Sequence, residues 1–343
     1  MKVAELLKRR QTNWRELEQL QLELQDLKGK LPPERIARFA SLYRSTCADL
    51  ALAEAHNLPP GTVDYLHRLV ARCHSQLYRS RPFDIKRWSE ILLVDAPQII
   101  FNDRCVQIAF CLFWGVFILA AWLAYDNKTW PRFADELLTP AAQTQMHDSF
   151  KNDITGRDAY TNLEMAAFYI AHNTGIGIKC FVTGLLVVPG LYTTIFNAAS
   201  LGASFGFMAR DEIARPNFFH FVTAHGPFEL TAICLAAGAG LRLGVSWMIP
   251  RSTRPGWLGL FPEETGEPGL TRLASLQLAA KSSLPVVGAS VVLFFLAALT
   301  EGFLSPSAAP YWSKALFAVL SSGMLMFYFV VLGFPRGGSS NAA

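Results

Sequence analysis

Residues 218–249 form a membrane-length apolar stretch that carries His220, His225, Glu229 and Arg242. Ionisable groups in lipid cost a few kcal/mol or more and mark functional sites by default. His225 and Glu229 stand at i and i+4, so they share a helix face. Gly226-Pro227 lies between them, and the small residues Ala236, Ala237, Gly238, Ala239 and Gly240 follow. Small residues let helices approach closely. The pattern therefore predicts one tightly packed intramembrane polar cluster, with Gly238, Gly240 and Gly244 at helix contacts.

Three chemistries fit these residues. A desolvated Glu229 with nearby histidines suits proton- or substrate-coupled transport. A His-x-x-x-Glu pair suggests metal binding, but zinc helices carry two histidines around their glutamate, and here one His precedes one Glu. No metal and no cofactor are expected on that ground. In the third reading the acid caps amides freed at the Gly226-Pro227 break, and Asn and His side chains bond across helices. Walker A, GxGxxG after a strand and GxSxG are all missing from the sequence, so no enzyme is expected. The six cysteines include no CxxC and read as small buried or lipid-facing residues.

The elements that must position these groups follow from hydropathy. The chain is 51% hydrophobic and 17% charged, and the charge is concentrated in its first third. Its net charge of +4 is too small to argue for nucleic acid. Val3, Leu6, Leu7, Trp14, Leu17, Leu20, Leu24 and Leu27 recur at helical spacing until Pro32-Pro33. Helical stretches follow at 34–56 and 62–78, separated by Pro59-Pro60. Residues 1–81 are thus expected to form a cytoplasmic helical bundle, a docking site for a cytoplasmic or envelope protein. The amphipathic segment 82–105 is expected to lie at the headgroups, or to be a fourth bundle helix.

About 20 apolar residues cross a bilayer core. Spans are expected at 106–125, 166–188, 191–209, 218–248, 284–303 and 313–334, with Pro189-Gly190 turning between the second and third and a disordered tail at 335–343. The fold class is therefore all-α, a polytopic helical membrane protein with about six spans. Basic residues Arg79, Arg81, Lys86, Arg87 and Arg104 precede the first span, Arg251, Arg254, Arg272 and Lys281 occupy the 249–283 loop, and Arg336 follows the last span. Residues 126–165 carry seven acids against four basic residues. Both termini are then cytoplasmic. This topology brings His172 and Asn173 of the second span, Asn197 of the third, His225 and Glu229 of the fourth and Glu301 of the fifth into one candidate cluster. Lys179 is a candidate partner for Glu229. The acidic run at 263–267 reads as a solvated loop.

Ala224-His225-Gly226-Pro227-Phe228-Glu229-Leu230, followed by Ala236-Ala237-Gly238-Ala239-Gly240-Leu241-Arg242-Leu243-Gly244, resembles the HGxxEL and AGAAGLRLG signature of the stage II sporulation protein M family. Tyr169-Ile170-Ala171-His172-Asn173, Phe196-Asn197-Ala198-Ala199-Ser200-Leu201-Gly202 and Leu299-Thr300-Glu301-Gly302-Phe303 are similar to further segments of that family. His172 replaces an Asn and Ala198 a Gly. Trp14-Arg15-Glu16-Leu17, Asp49-Leu50-Ala51 and Tyr65-Leu66-His67-Arg68-Leu69-Val70 resemble the soluble part of its longer bacterial members, with His67 in place of an Asn. The resemblance implies a polytopic protein of the bacterial inner membrane. It further implies a scaffold: in endospore formers such a protein recruits a peptidoglycan-degrading pair during engulfment. The small-residue faces admit homo-oligomers.

Overall fold

The computed structural model describes residues 3–26, 32–77, 85–126, 128–249 and 271–334. The 335–343 tail, the 263–267 acids, the start of the 82–105 segment and the basic residues Arg79, Arg81, Arg251, Arg254 and Arg336 lie outside them. All regular structure among the described residues is helical. The chain divides into two compact units, Met1–Ile85 and Lys86–Ala343.

The first unit holds α1 (Val3–Asp26), α2 (Pro33–Ala55) and α3 (Pro60–Leu77). Trp14, Leu17 and Leu20 of α1 meet Phe39, Leu42 and Ala53 of α2 and Leu66, Leu69 and Cys73 of α3. These positions recur every three or four residues, so each helix presents one apolar stripe. Pro33 and Pro60 stand in the first turns, where a missing N–H costs nothing. Asp49 is 1% exposed and accepts hydrogen bonds from Arg10 and from Trp14 Nε1, the latter at 2.9 Å. A buried carboxylate is tolerated because both partners reach it.

The second unit, from Lys86, holds the rest of α4 (Ile85–Glu90), a π-helical turn (Ile91–Asp95) and α5 (Ala96–Asn102). It continues through α6 (Arg104–Asp126), α7 (Phe133–Leu137), α8 (Pro140–Phe150), α9 (Ala159–Gly184) and α10 (Val188–Arg210). Next come α11 (Arg215–Val222), α12 (Gly226–Met248), α13 (Arg272–Leu299), a π-helical turn (Thr300–Leu304), α14 (Tyr311–Met326) and a last π-helical turn (Phe327–Val331).

Four of these are long and apolar enough to cross a membrane: α6, α12, α13 with its π turn, and α14 with its π turn. Where the second and third spans are expected, α9 and α10 are as long but more polar. Thr161, His172, Asn173 and Lys179 interrupt α9, and Thr193, Thr194, Asn197, Ser200 and Ser204 interrupt α10. The turn between them is not at Pro189-Gly190. It falls at Leu185–Val187, and Pro189 sits inside the first turn of α10, again where its missing N–H is harmless. Val187 takes φ 52° there, a costly conformation for a β-branched residue. The fourth expected span divides at Thr223–His225 into α11 and α12.

Helix α12 is the central one. Of its most apolar window 78% is buried, against 28% for α6, 44% for α13 and 17% for α14. Ile233, Leu235 and Ala236 of α12 pack with Phe113 of α6 and Val286 and Phe294 of α13. Ser290 Oγ donates to the Ala232 carbonyl across α12 and α13 at 2.8 Å. A Cβ on Gly240 would lie 2.2 Å from the Phe181 carbonyl oxygen, and one on Gly244 2.3 Å from that of Gly184, so α9 and α12 touch backbone to backbone. Gly238 approaches the Val106 backbone of α6 in the same way.

The outer faces of this unit are apolar. Ile118, Leu119 and Trp122 of α6, Val291 and Phe295 of α13, and Trp312, Val319 and Leu320 of α14 are exposed. Such continuous apolar surface requires lipid or a partner to cover it. The 128–158 segment is ordered on the unit: Asn217 Nδ2 donates to the Phe150 and Asn152 carbonyls at 3.0 and 2.9 Å, and His147 pairs with Asp211.

Candidate functional site

The break at Thr223–His225 sets the site. His225 is the residue before α12, and Pro227 opens the helix without an amide to satisfy. Glu229 lies in the first turn, where the helix dipole favours a carboxylate. The i, i+4 spacing brings His225 Nε2 to 3.7 Å from Glu229 Oε2, too far for a hydrogen bond. On its other side His225 Nδ1 lies 2.9 Å from Ser305 Oγ. The Phe221 ring stands edge-on to the imidazole at 5.6 Å.

Glu301 enters from the end of α13. It sits in the Thr300–Leu304 π-helical turn, closed by Ser305 N–H donating to the Thr300 carbonyl at 2.8 Å. Single π turns recur at functional sites because the extra residue re-aims side chains. Gly302 follows, and a Cβ there would stand 2.6 Å from Ala166 Cβ, so the turn packs directly on α9. From α9, Asn173 Nδ2 donates to Glu301 Oε2 at 3.1 Å. One ligand-type atom each from His225, Glu229 and Glu301 lies within 4.8 Å of the others.

The floor of this arrangement is Lys314, which is fully buried. Its Nζ donates to the Ser305 and Ser307 carbonyls at 2.7 and 2.9 Å. Lys314 thereby fixes the turn that carries Ser305. Neither Lys314 nor Ser305 stood out in the sequence. The available signal was a lysine four residues past Pro310, inside an apolar run.

Other expected members stay out of the cluster. His172 is exposed and stacks on Phe168. It neighbours Asn173, and adjacent helical residues point about 100° apart, so only one of the two faces Glu301. Asn197 Nδ2 bonds the Thr193 carbonyl at 2.9 Å and Cys180 Sγ at 3.5 Å. Cys180 is two turns beyond Asn173, about 10 Å along α9. Lys179 lies on an exposed face of α9 and does not pair with Glu229. Gly226 has nothing within 4 Å of a Cβ position, so packing does not require glycine there.

Arg242 also leaves the expected single cluster. It pairs with Asp103 at 2.6 Å, thirteen residues from Glu229 and so about 20 Å away along α12. Asp103 Oδ1 accepts from the amides of Cys105 and Val106 at 2.9 and 3.4 Å, capping α6. The ionisable residues of α12 therefore serve two sites at opposite ends of one helix.

Two family models match the chain. Stage II sporulation protein M matches residues 109–306, more than half of the chain. A domain of unknown function, DUF8413, matches residues 4–79, the stretch that holds α1 to α3. No curated protein and no solved structure matches.

Proposed function

The chain belongs to the stage II sporulation protein M family, and from that membership we propose a non-enzymatic scaffold of the bacterial cytoplasmic membrane. It crosses the bilayer six times, α9 and α10 supplying the two more polar spans. Both termini face the cytoplasm, and residues 1–81 are the docking module for a cytoplasmic or envelope partner. The 128–158 segment lies outside, as its excess of acids favours.

One observation carries this reading: the backbone contact of α9 and α12 through Gly184, Gly240 and Gly244. Helices held carbonyl to Cα have little freedom to rock against each other, which suits a rigid platform better than alternating access. Packing of α9 and α10 against α12 and α6 lowers the cost of the polar spans by burying Asn173 and Thr194.

The second reading, a transporter, channel or lipid-translocating protein, is favoured by the meeting of Glu229, Glu301 and His225 in an apolar body. Purified protein in liposomes separates the two. The scaffold predicts no proton-coupled flux and no lipid scrambling from wild type or Glu229→Gln. Flux lost in a Glu229→Gln protein of unchanged thermal stability would establish the second reading. Cysteines placed at Thr144 and Ser282 test the topology, since a membrane-impermeant thiol reagent should reach only the first from outside.

A further inference from the structure

We propose that His225, Glu229 and Glu301 together bind one divalent transition-metal ion of the zinc type, where α12 begins and α13 ends. The inference is independent of the scaffold reading.

Three features support it. First, the donor set fits: one imidazole nitrogen and two carboxylate oxygens are zinc ligands. In a tetrahedral site with bonds of about 2.0–2.1 Å, ligand atoms stand about 3.3 Å apart. His225 Nε2 and Glu229 Oε2 are already at 3.7 Å, and all three donors fall within 4.8 Å. Side-chain rotation closes that difference without moving a helix.

Second, the ring nitrogen that would bind the ion is unpartnered. The His225 side chain is 6% exposed, and its Nε2 faces only a carboxylate beyond bonding distance. In the liganded site Nδ1–H donates to Ser305 Oγ, which leaves the Nε2 lone pair aimed at the ion. Asn173 orients Glu301 from outside in the same way. Outer partners of this kind fix the tautomer and hold the carboxylates.

Third, the charges close. Two carboxylates side by side in an apolar body are costly, and no lysine or arginine hydrogen-bonds either of them among the described residues. Arg157 acts on Glu301 only through space, and one divalent cation bound directly would offset both negative charges. Three protein ligands leave a fourth position for water, and the ion ties α12 to the π turn after α13.

The test uses the full chain, purified on a histidine-free tag, stripped with chelator and reconstituted in nanodiscs. Zn²⁺ and Co²⁺ are the probes, with metal content, X-ray absorption and thermal stability as readouts. The expected result is one ion per chain, a shell with one imidazole and oxygens but no sulfur, and stability that falls on chelation. Glu229→Gln or Glu301→Gln should weaken Zn²⁺ binding by more than the roughly 10–100-fold that loss of an outer partner costs. Asn173→Ala should fall within that range, and His172→Ala should bind like wild type. Failure to retain Zn²⁺ at micromolar concentration, a sulfur ligand, preference for Mg²⁺ or Ca²⁺, or full affinity in both Gln variants would each overturn the proposal. If a variant does not fold, the wild-type stoichiometry and absorption shell decide alone.

Discussion

Gly240→Ala tests the central packing claim most directly. A Cβ at this position would lie 2.2 Å from the Phe181 carbonyl oxygen and 2.8 Å from Phe181 Cα. Comfortable contact needs about 3.5 Å, so α9 and α12 must separate by about 1 Å. A gap of that size forfeits a quarter to a half of the dispersion attraction along the seam. The atoms met are backbone, which cannot rotate away like a side-chain tip. Overpacking of this kind costs about 1–3 kcal/mol, and the upper end applies here. Gly288→Ala is the matched control: Gly288 lies within α13 and has nothing within 4 Å of its Cβ position. Both substitutions gain the same helix propensity, about 1 kcal/mol, so it cancels in the comparison. Gly240→Ala should therefore be less stable than Gly288→Ala by about 3 kcal/mol, read from unfolding in mixed detergent. Equal stability within about 0.5 kcal/mol, the usual scatter of neutral substitutions, would refute the backbone contact.

Lys314→Ala should lower stability by about 2–4 kcal/mol, since it strips the buried Ser305 carbonyl and the partly buried Ser307 carbonyl of their donor, whereas Ser282→Ala, at a half-buried position whose hydroxyl only bonds back to its own helix, should be near neutral in the same assay. In the first unit, burial pushes the Cys73 thiol up to about 12, so it should resist alkylation at pH 8 until that unit unfolds. Asp49→Ala, which orphans Trp14 Nε1 and frees Arg10, should make Cys73 labelling at least about tenfold faster through a loss of about 2 kcal/mol; unchanged labelling would remove Asp49 from the stabilising core. Burial raises the Asp211 carboxyl, but the Ala214 and Ile213 amides and His147 outweigh it and hold the group below its ordinary range. Its contribution is then complete above about pH 4 and is lost as pH falls through the lower folded value. Hydrogen exchange of α8 and α11 should accelerate below about pH 4, and Asp211→Asn should flatten that dependence.

Much of the architecture was written in local pattern. Apolar stripes at three- and four-residue spacing define α1 to α3, and Pro33 and Pro60 mark helix starts because proline tolerates only the first turn. Long apolar runs define α6, α12, α13 and α14, since length and hydropathy are properties of the segment alone. The family signature around His225 and Glu229 was legible for the same reason. Membership follows from residue identity in order, which needs no coordinates.

Partnership was only partly legible, because it depends on which faces meet. His172 and Asn173 are neighbours in sequence, yet the helical period turns one to the surface and the other to Glu301. Arg242 shares an apolar stretch with Glu229, but the rise of the helix carries it to Asp103 at the far end. The sequence placed Asn173, His225, Glu229 and Glu301 in one candidate cluster but did not separate them from His172 and Asn197. Only the tertiary structure set the distances among His225, Glu229 and Glu301, because a π turn after α13 carries Glu301 and Gly302 lets that turn close on α9. Sequence therefore determined the elements and the family. The packing of backbone on backbone decided which polar groups, up to 128 residues apart, became one site.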